Sequence, residues 1–221
     1  MKVVQCWDDG VVDDIRLIEI LRLHDAKASF NLNMGKHPVV PPTGWNYHDV
    51  KQVRQLALGE LIPIYEGFPI ANHTFSHPHL TRISYEEAER EIREGRDSLE
   101  QHFGRAVKGF AYPFGDTNAA VGEMVKAAGH VYARTCDTAE KVYPPADPMD
   151  FRASCHFLDP AFWEKYEQVK NDGNVFYFWG HSYEMVTEAD WQDFDSKIRR
   201  ITEDSEAEWV ELPDLFDHSD R

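Results

Sequence analysis

The sequence predicts an α/β fold, a barrel of seven or eight mostly parallel strands. Three observations lead there. A pattern of apolar strand, loop and amphipathic helix repeats along the chain, with no internal sequence repeat and no low-complexity linker. The length, 221 residues, suits one domain over 1–221. The residues able to do chemistry fall just after predicted strands, where barrels of this kind carry their active-site loops.

Val3 to Trp7 reads as the first strand, and Ile15, Ile18, Leu21 and Leu23 mark a helix over Asp14–His24. Ala28 to Leu32 is the second strand. Val39 to Trp45, rich in proline, is loop; Asp49–Leu58 reads as helix and Glu60–Ile64 as a short strand. Pro69-Ile70-Ala71-Asn72 is a strand leaving the core. Ser84 and Glu87 form a capping box that opens a helix carrying Ala88, Ile92, Leu99 and Phe103 up to Gly104. Val107 to Tyr112 is a strand stopped by Pro113, Asn118–Ala128 a helix closed by Gly129, and His130–Arg134 the next strand. Arg152 to Cys155 is a further strand, Pro160–Val169 a helix with proline in its first turn, and Val175–Trp179 an aromatic strand. Trp191–Ile201 is helical, and Trp209–Leu212 is the last strand.

The formal net charge is −16, from 39 acidic and 23 basic residues. That argues against nucleic acid and anionic membranes as partners, since both require clustered Lys and Arg. Three cysteines, Cys6, Cys136 and Cys155, make neither a disulfide framework nor a thiolate metal site. No run approaches the ~20 apolar residues that span a bilayer, and no signal peptide is legible, so a cytoplasmic protein is the expectation.

The pair His73 and His77 stands out among eleven histidines. One helical turn after the strand would set both imidazoles on one side, within reach of a single divalent metal, zinc being the best match for imidazole. The third ligand is expected from Asp8-Asp9-Gly10 at the end of the first strand. Adjacent side chains leaving a strand point apart, so one carboxylate can bind metal while the other accepts a proton from water that the metal has acidified. If such a water attacked a carbonyl, the reaction would also need a donor for the oxyanion and an acid for the leaving group. The stiff turn Tyr112-Pro113-Phe114 can present an N–H, and His181 follows the aromatic strand. Trp179, Tyr183 and Trp191 lie near His181 in sequence, flat aromatic faces that could line a groove.

Taken in order, Trp7-Asp8-Asp9-Gly10, His73-Thr74-Phe75-Ser76-His77-Pro78, Tyr112-Pro113-Phe114-Gly115 and Gly180-His181-Ser182 resemble the motifs of the polysaccharide deacetylases of carbohydrate esterase family four. The resemblance spans Val3 to Glu211. It implies a distorted (β/α) barrel, a divalent metal, usually zinc, and hydrolysis of N- or O-acetyl groups on saccharides. It further implies Asp8 as catalytic base, Asp9, His73 and His77 as metal ligands, Tyr112, Pro113 and Phe114 as groove wall and oxyanion site, and His181 as general acid. Two departures stand out. The family's arginine, two places before the proline of its third motif, is Ala111 here, and its fourth-motif aspartate is matched only by Asp137. In the family those two residues orient the base and the acid. Arg134 is the candidate to replace the arginine against Asp8, and Ser182, Glu184 and His156 are candidates to orient His181. Two other readings compete: an amidohydrolase opening a cyclic imide or ureide, and a non-catalytic relative that holds metal or sugar.

Overall fold

The computed structural model describes residues 1–39 and 44–217. In chain order the elements are β1 (Lys2–Asp8), α1 (Asp14–Leu23), β2 (Ser29–Leu32), β3 (Gly44–Tyr47), β4 (Lys51–Arg54), α2 (Leu61–Ile64), β5 (Ile70–Asn72), α3 (Tyr85–Phe103), β6 (Gly109–Ala111), α4 (Ala119–Ala127), β7 (Tyr132–Thr138), β8 (Phe151–Ala153), β9 (Cys155–His156), α5 (Phe162–Asp172), β10 (Val175–Gly180), α6 (Glu188–Glu203) and β11 (Glu208–Trp209). The main sheet is parallel, in the order β8-β7-β6-β5-β2-β1-β10-β9, with β11 added beside the start of β1. The chain itself nearly closes the barrel. Phe151–Ala153 pairs with β7 at one edge, and Cys155–His156 pairs with β10 at the other. Between them Ser154 donates its N–H to Tyr177 O at 2.7 Å and accepts the Tyr177 N–H on Oγ at 3.1 Å.

Alternation divides each strand between two environments. On β1, Val3 and Trp7 face the helices and join the core with Leu17, Leu21, Phe194 and Ile198. Trp7 meets Phe157 and Phe194 edge-on at 5.0 and 5.2 Å. Val4 and Cys6 face the barrel interior with Tyr132, Val175 and Tyr177. Asp8 continues that inward row, so the packed column of the barrel ends in a carboxylate. A third cluster joins α3 and α4 to β6 and β7 through Ile92, Val121, Val125, Phe110 and Ala133.

The predicted barrel and most of its units are present, and four local readings are corrected. Asp49–Leu58 is not a helix: Lys51–Arg54 pairs antiparallel with Gly44–Tyr47. His48 and Asp49 both adopt left-handed φ, 47° and 57°, the backbone of a hairpin turn that matches strand twist. Glu60–Ile64 is not a strand, because Glu60 accepts the Ala57 N–H at 2.7 Å, closing a turn that runs into the single helical turn Leu61–Ile64. The last strand stops at Trp209, and Leu212–Leu215 forms a tight turn with Pro213 inside it. Pro160 precedes its helix, whose start is set by Asp159 accepting from Ala161 N and Phe162 N. Of the proline-rich loop read over Val39–Trp45, residues 40–43 lie outside the described residues.

Candidate metal centre and active site

The site sits where the strands end. Asp9 follows β1, His73 and His77 follow β5, Phe114 follows β6 and His181 follows β10. Asp9, His73 and His77 form a group with the spacing of metal ligands. Asp9 Oδ1 lies 4.0 Å from His73 Nε2 and 3.7 Å from His77 Nε2. His73 Nδ1 contacts Ala111 O at 2.7 Å, which places the ring proton there and leaves the Nε2 lone pair free. Burial lowers the pKa of both imidazoles, and His73 lowers that of His77 further, to about 3. Two neutral imidazoles and a carboxylate are a donor set that fits zinc or a similar divalent ion.

The two histidines do not share the helical turn that their spacing predicts. Thr74 and His77 take φ of 66° and 65°, and His77 N–H donates to Thr74 Oγ1 at 2.9 Å. This irregular loop is pinned to α3. Phe75 N–H donates to Glu91 O at 3.0 Å, and Ser76 N and Oγ both donate to the Glu91 carboxylate at 2.7 Å. Gly95 makes the approach possible, since a Cβ there would stand 2.4 Å from Asn72 Oδ1. Asp9 (φ 83°) and Phe114 (φ 59°) are also left-handed, so four non-glycine residues around one site hold that conformation. Each costs about 1–3 kcal/mol and persists because neighbours over-determine it.

Asp8 and Asp9 separate as strand alternation predicts. Asp8, 2% exposed, turns inward; Asn31 Nδ2 donates to its Oδ1 at 2.6 Å, and Arg134 Nη2 donates to its Oδ2. Burial pushes the Asp8 carboxyl up, but Arg134, His73, His181 and Asn31 outweigh it and hold the group well below the usual carboxylate range. Arg134 lies under the Trp179 ring, 4.5 Å from its centroid. His181 Nε2 faces both aspartates, 3.8 Å from Asp8 Oδ2 and 4.0 Å from Asp9 Oδ2. Burial lowers the His181 pKa, yet the Glu184 contact and the two aspartates lift it to about 9.

A cavity of about 210 Å³ opens onto these groups, walled by Tyr112, Phe114, Trp179 and Tyr183. Phe114 is 56% exposed; its ring stacks on His79 at 3.9 Å and meets the His77 edge at 4.5 Å. Tyr183 OH donates to Asp9 Oδ2 at 3.4 Å, while Trp45 and Tyr47 of the β3–β4 hairpin pack on the Tyr183 ring. Trp191 is not at the site; it is buried in the helical core beneath Arg16. Nor is Asp137, whose exposed carboxylate pairs with Arg152 at 3.7 Å. Asn31 and Tyr183 were not identified as partners of the aspartates from sequence. For Asn31 a signal exists: it is an amide between the apolar Phe30 and Leu32 in a short strand that is buried throughout.

The sequence profile of the polysaccharide deacetylases matches residues 1–133. A chitooligosaccharide deacetylase of Azorhizobium caulinodans is 30% identical over 126 residues, 56% of this chain. That match spans 52% of the relative's own length. Among solved structures, a family 4 carbohydrate esterase from Streptomyces lividans, bound to acetate, aligns over 93% of this chain and 90% of its own, at 16% identity and a TM-score of 0.59. The Streptococcus pyogenes deacetylase PplD, also with acetate, aligns over 61% of this chain and 55% of its own, at 21% identity and a TM-score of 0.52. These structural likenesses establish a common barrel fold. With its profile match covering more than half of the sequence, this chain belongs to the polysaccharide deacetylase family.

Proposed function

We propose that this protein is a zinc-dependent hydrolase, acting as one catalytic domain, that removes acetyl groups from a poly- or oligosaccharide. N-acetylated amino sugars of the chitooligosaccharide type are the first class to test. Family membership and the name of the Azorhizobium relative support the substrate class. The observation that carries the reading is the placement of Asp8 and His181, 3.8 Å apart, beside the Asp9–His73–His77 group and outside it. A binder has no use for a carboxylate that stands outside the ligand set and opposite a proton donor.

Asp9, His73 and His77 would hold a divalent ion, which would supply Lewis-acid polarisation of the acetyl carbonyl and a lower pKa for water. Asp8, kept ionised by Arg134, takes the proton of the attacking water. The Phe114 N–H, on the turn that follows Pro113, stabilises the oxyanion. His181 delivers the Nε2 proton to the leaving nitrogen or oxygen as its bond to the carbonyl carbon breaks. Phe114, Trp179 and Tyr183 exclude water around the acetyl group and offer flat faces to the sugar.

The test is acetate release across a panel of acetylated oligosaccharides, with and without a chelator. The expected result is chelator-sensitive release from at least one N-acetylated member, restored by zinc. Release from none, together with turnover of a cyclic imide, overturns the reading in favour of the amidohydrolase.

A further inference from the structure

His181 is the final contact of a short relay that starts on the strand closing the barrel. The turn Ser182–Glu184 folds back so that Glu184 Oε2 accepts the His181 backbone N–H at 3.0 Å. The same oxygen lies 3.2 Å from His181 Nδ1 and 3.0 Å from His156 Nε2. His156 ends β9 and is the register partner of Trp179. Its ring state follows from its other side: Leu158 N–H donates to His156 Nδ1 at 3.3 Å, so the ring hydrogen is on Nε2, toward Glu184.

These three side chains also have the spacing of a metal site. The Leu158 N–H argues against that use, because it occupies the Nδ1 lone pair and leaves Nε2 protonated, with no pair to give a metal. The carboxylate has a different task. At 3.2 Å its charge favours a hydrogen on His181 Nδ1, a nitrogen that makes no well-directed hydrogen bond in this structure, and the contact keeps Nε2 toward the site.

We propose that Glu184, braced by His156, is the positioning residue that holds His181 in the orientation of a proton donor. The proposal rests on the deacetylase reading for the reaction it serves. In that reaction the proton moves from His181 Nε2 to the amine nitrogen as the C–N bond breaks, and Glu184 stays a carboxylate throughout. No contact of Glu184 or His156 with substrate is involved.

The experiment compares Glu184→Gln, His156→Phe and His156→Gln with the wild type as zinc-loaded proteins. Each is assayed on an N-acetylated oligosaccharide and on 4-nitrophenyl acetate, whose leaving group departs without a proton. Glu184→Gln is expected to keep one zinc and its KM and to lose about 10²-fold in kcat on the amide, within the range a general acid contributes, while the ester rate stays near wild type. His156→Phe should show the same split at smaller size, and His156→Gln, which restores an N–H donor, should recover. Equal losses on both substrates, no loss, or a second zinc that disappears in these variants would overturn the proposal. A readout independent of turnover is the ring 15N spectrum: the His181 Nδ1–H resonance should shift in Glu184→Gln, where a neutral amide replaces the carboxylate. An unchanged His181 signal also overturns it. If the wild type releases no acetate from any saccharide, the deacetylase reading fails, and the ring spectrum still decides whether Glu184 positions His181.

Discussion

Ala111 on β6 and Arg134 on β7 are register partners in the sheet. The guanidinium that reaches Asp8 therefore stands at the height of Ala111, displaced by one strand. Both side chains are buried, Ala111 at 0% and Arg134 at 1% exposure. An arginine carried on the neighbouring strand meets the same carboxylate in the barrel interior.

That relationship predicts a compensating pair. Arg134→Ala leaves Asp8 buried without its cation and should cost about 3–5 kcal/mol of stability, as loss of one member of a buried ion pair does. Arg134→Ala combined with Ala111→Arg moves the charge back by one strand and should recover part of that loss. Chemical denaturation of the single and double variants measures it; a double variant no more stable than the single one sinks the idea.

The paired aspartates should separate experimentally. Asp8→Asn is expected to keep its metal and lose nearly all turnover. Asp9→Asn should lose metal, with activity partly restored by excess zinc. Metal stoichiometry and acetate release at two zinc concentrations decide, and the opposite pattern would invert the assignment.

His77→Ala removes one of two imidazole donors, and metal content measured on untagged protein should fall strongly. Full occupancy would remove His77 from the ligand set.

His181→Ala should lower turnover of an N-acetylated substrate by about 10²–10⁴-fold without loss of metal, the usual worth of a general acid. Wild-type rates would make it a structural histidine.

Asp14 gives a pH signature away from the metal. It is fully buried at the start of α1, accepting from Tyr65 OH at 2.6 Å and from Ser182 Oγ. Burial raises its pKa to about 7 despite those bonds. A folded pKa above the unfolded value means stability present below about pH 4 and lost as pH rises through about 7. The stability difference between wild type and Asp14→Asn should therefore change by up to about 1.4 kcal/mol per pH unit in that window. A constant difference from pH 4 to 7 contradicts the assignment.

The barrel was legible because its signals are local. Short apolar runs, the Ser84–Glu87 capping box, and the stops at Gly104, Pro113 and Gly129 each act within a few residues. The hairpin Gly44–Arg54 was misread because its signal is backbone rather than composition: nothing in His48-Asp49 announces two successive left-handed residues. The single helical turn at Leu61–Ile64 was too short for any period to show.

The sequence by itself determined which residues stand at or just beyond the strand ends. Asp8 ends β1, Asp9, His73 and His181 directly follow their strands, and His77 and Phe114 lie a few residues on. Tertiary structure alone decided how the ligand loop turns and that Asn31 and Tyr183 support the aspartates, whereas Arg134 is already the sequence's candidate against Asp8. The left-handed loop at Thr74 and His77 depends on docking to Glu91 and Gly95 of α3. Arg134, Asn31, Tyr183 and Glu184 acquired their partners through sheet register and packing. The physical reason is separation along the chain. Arg134 and Asp8 are 126 residues apart, and only closure of the barrel makes the interior face of β7 a neighbour of the end of β1.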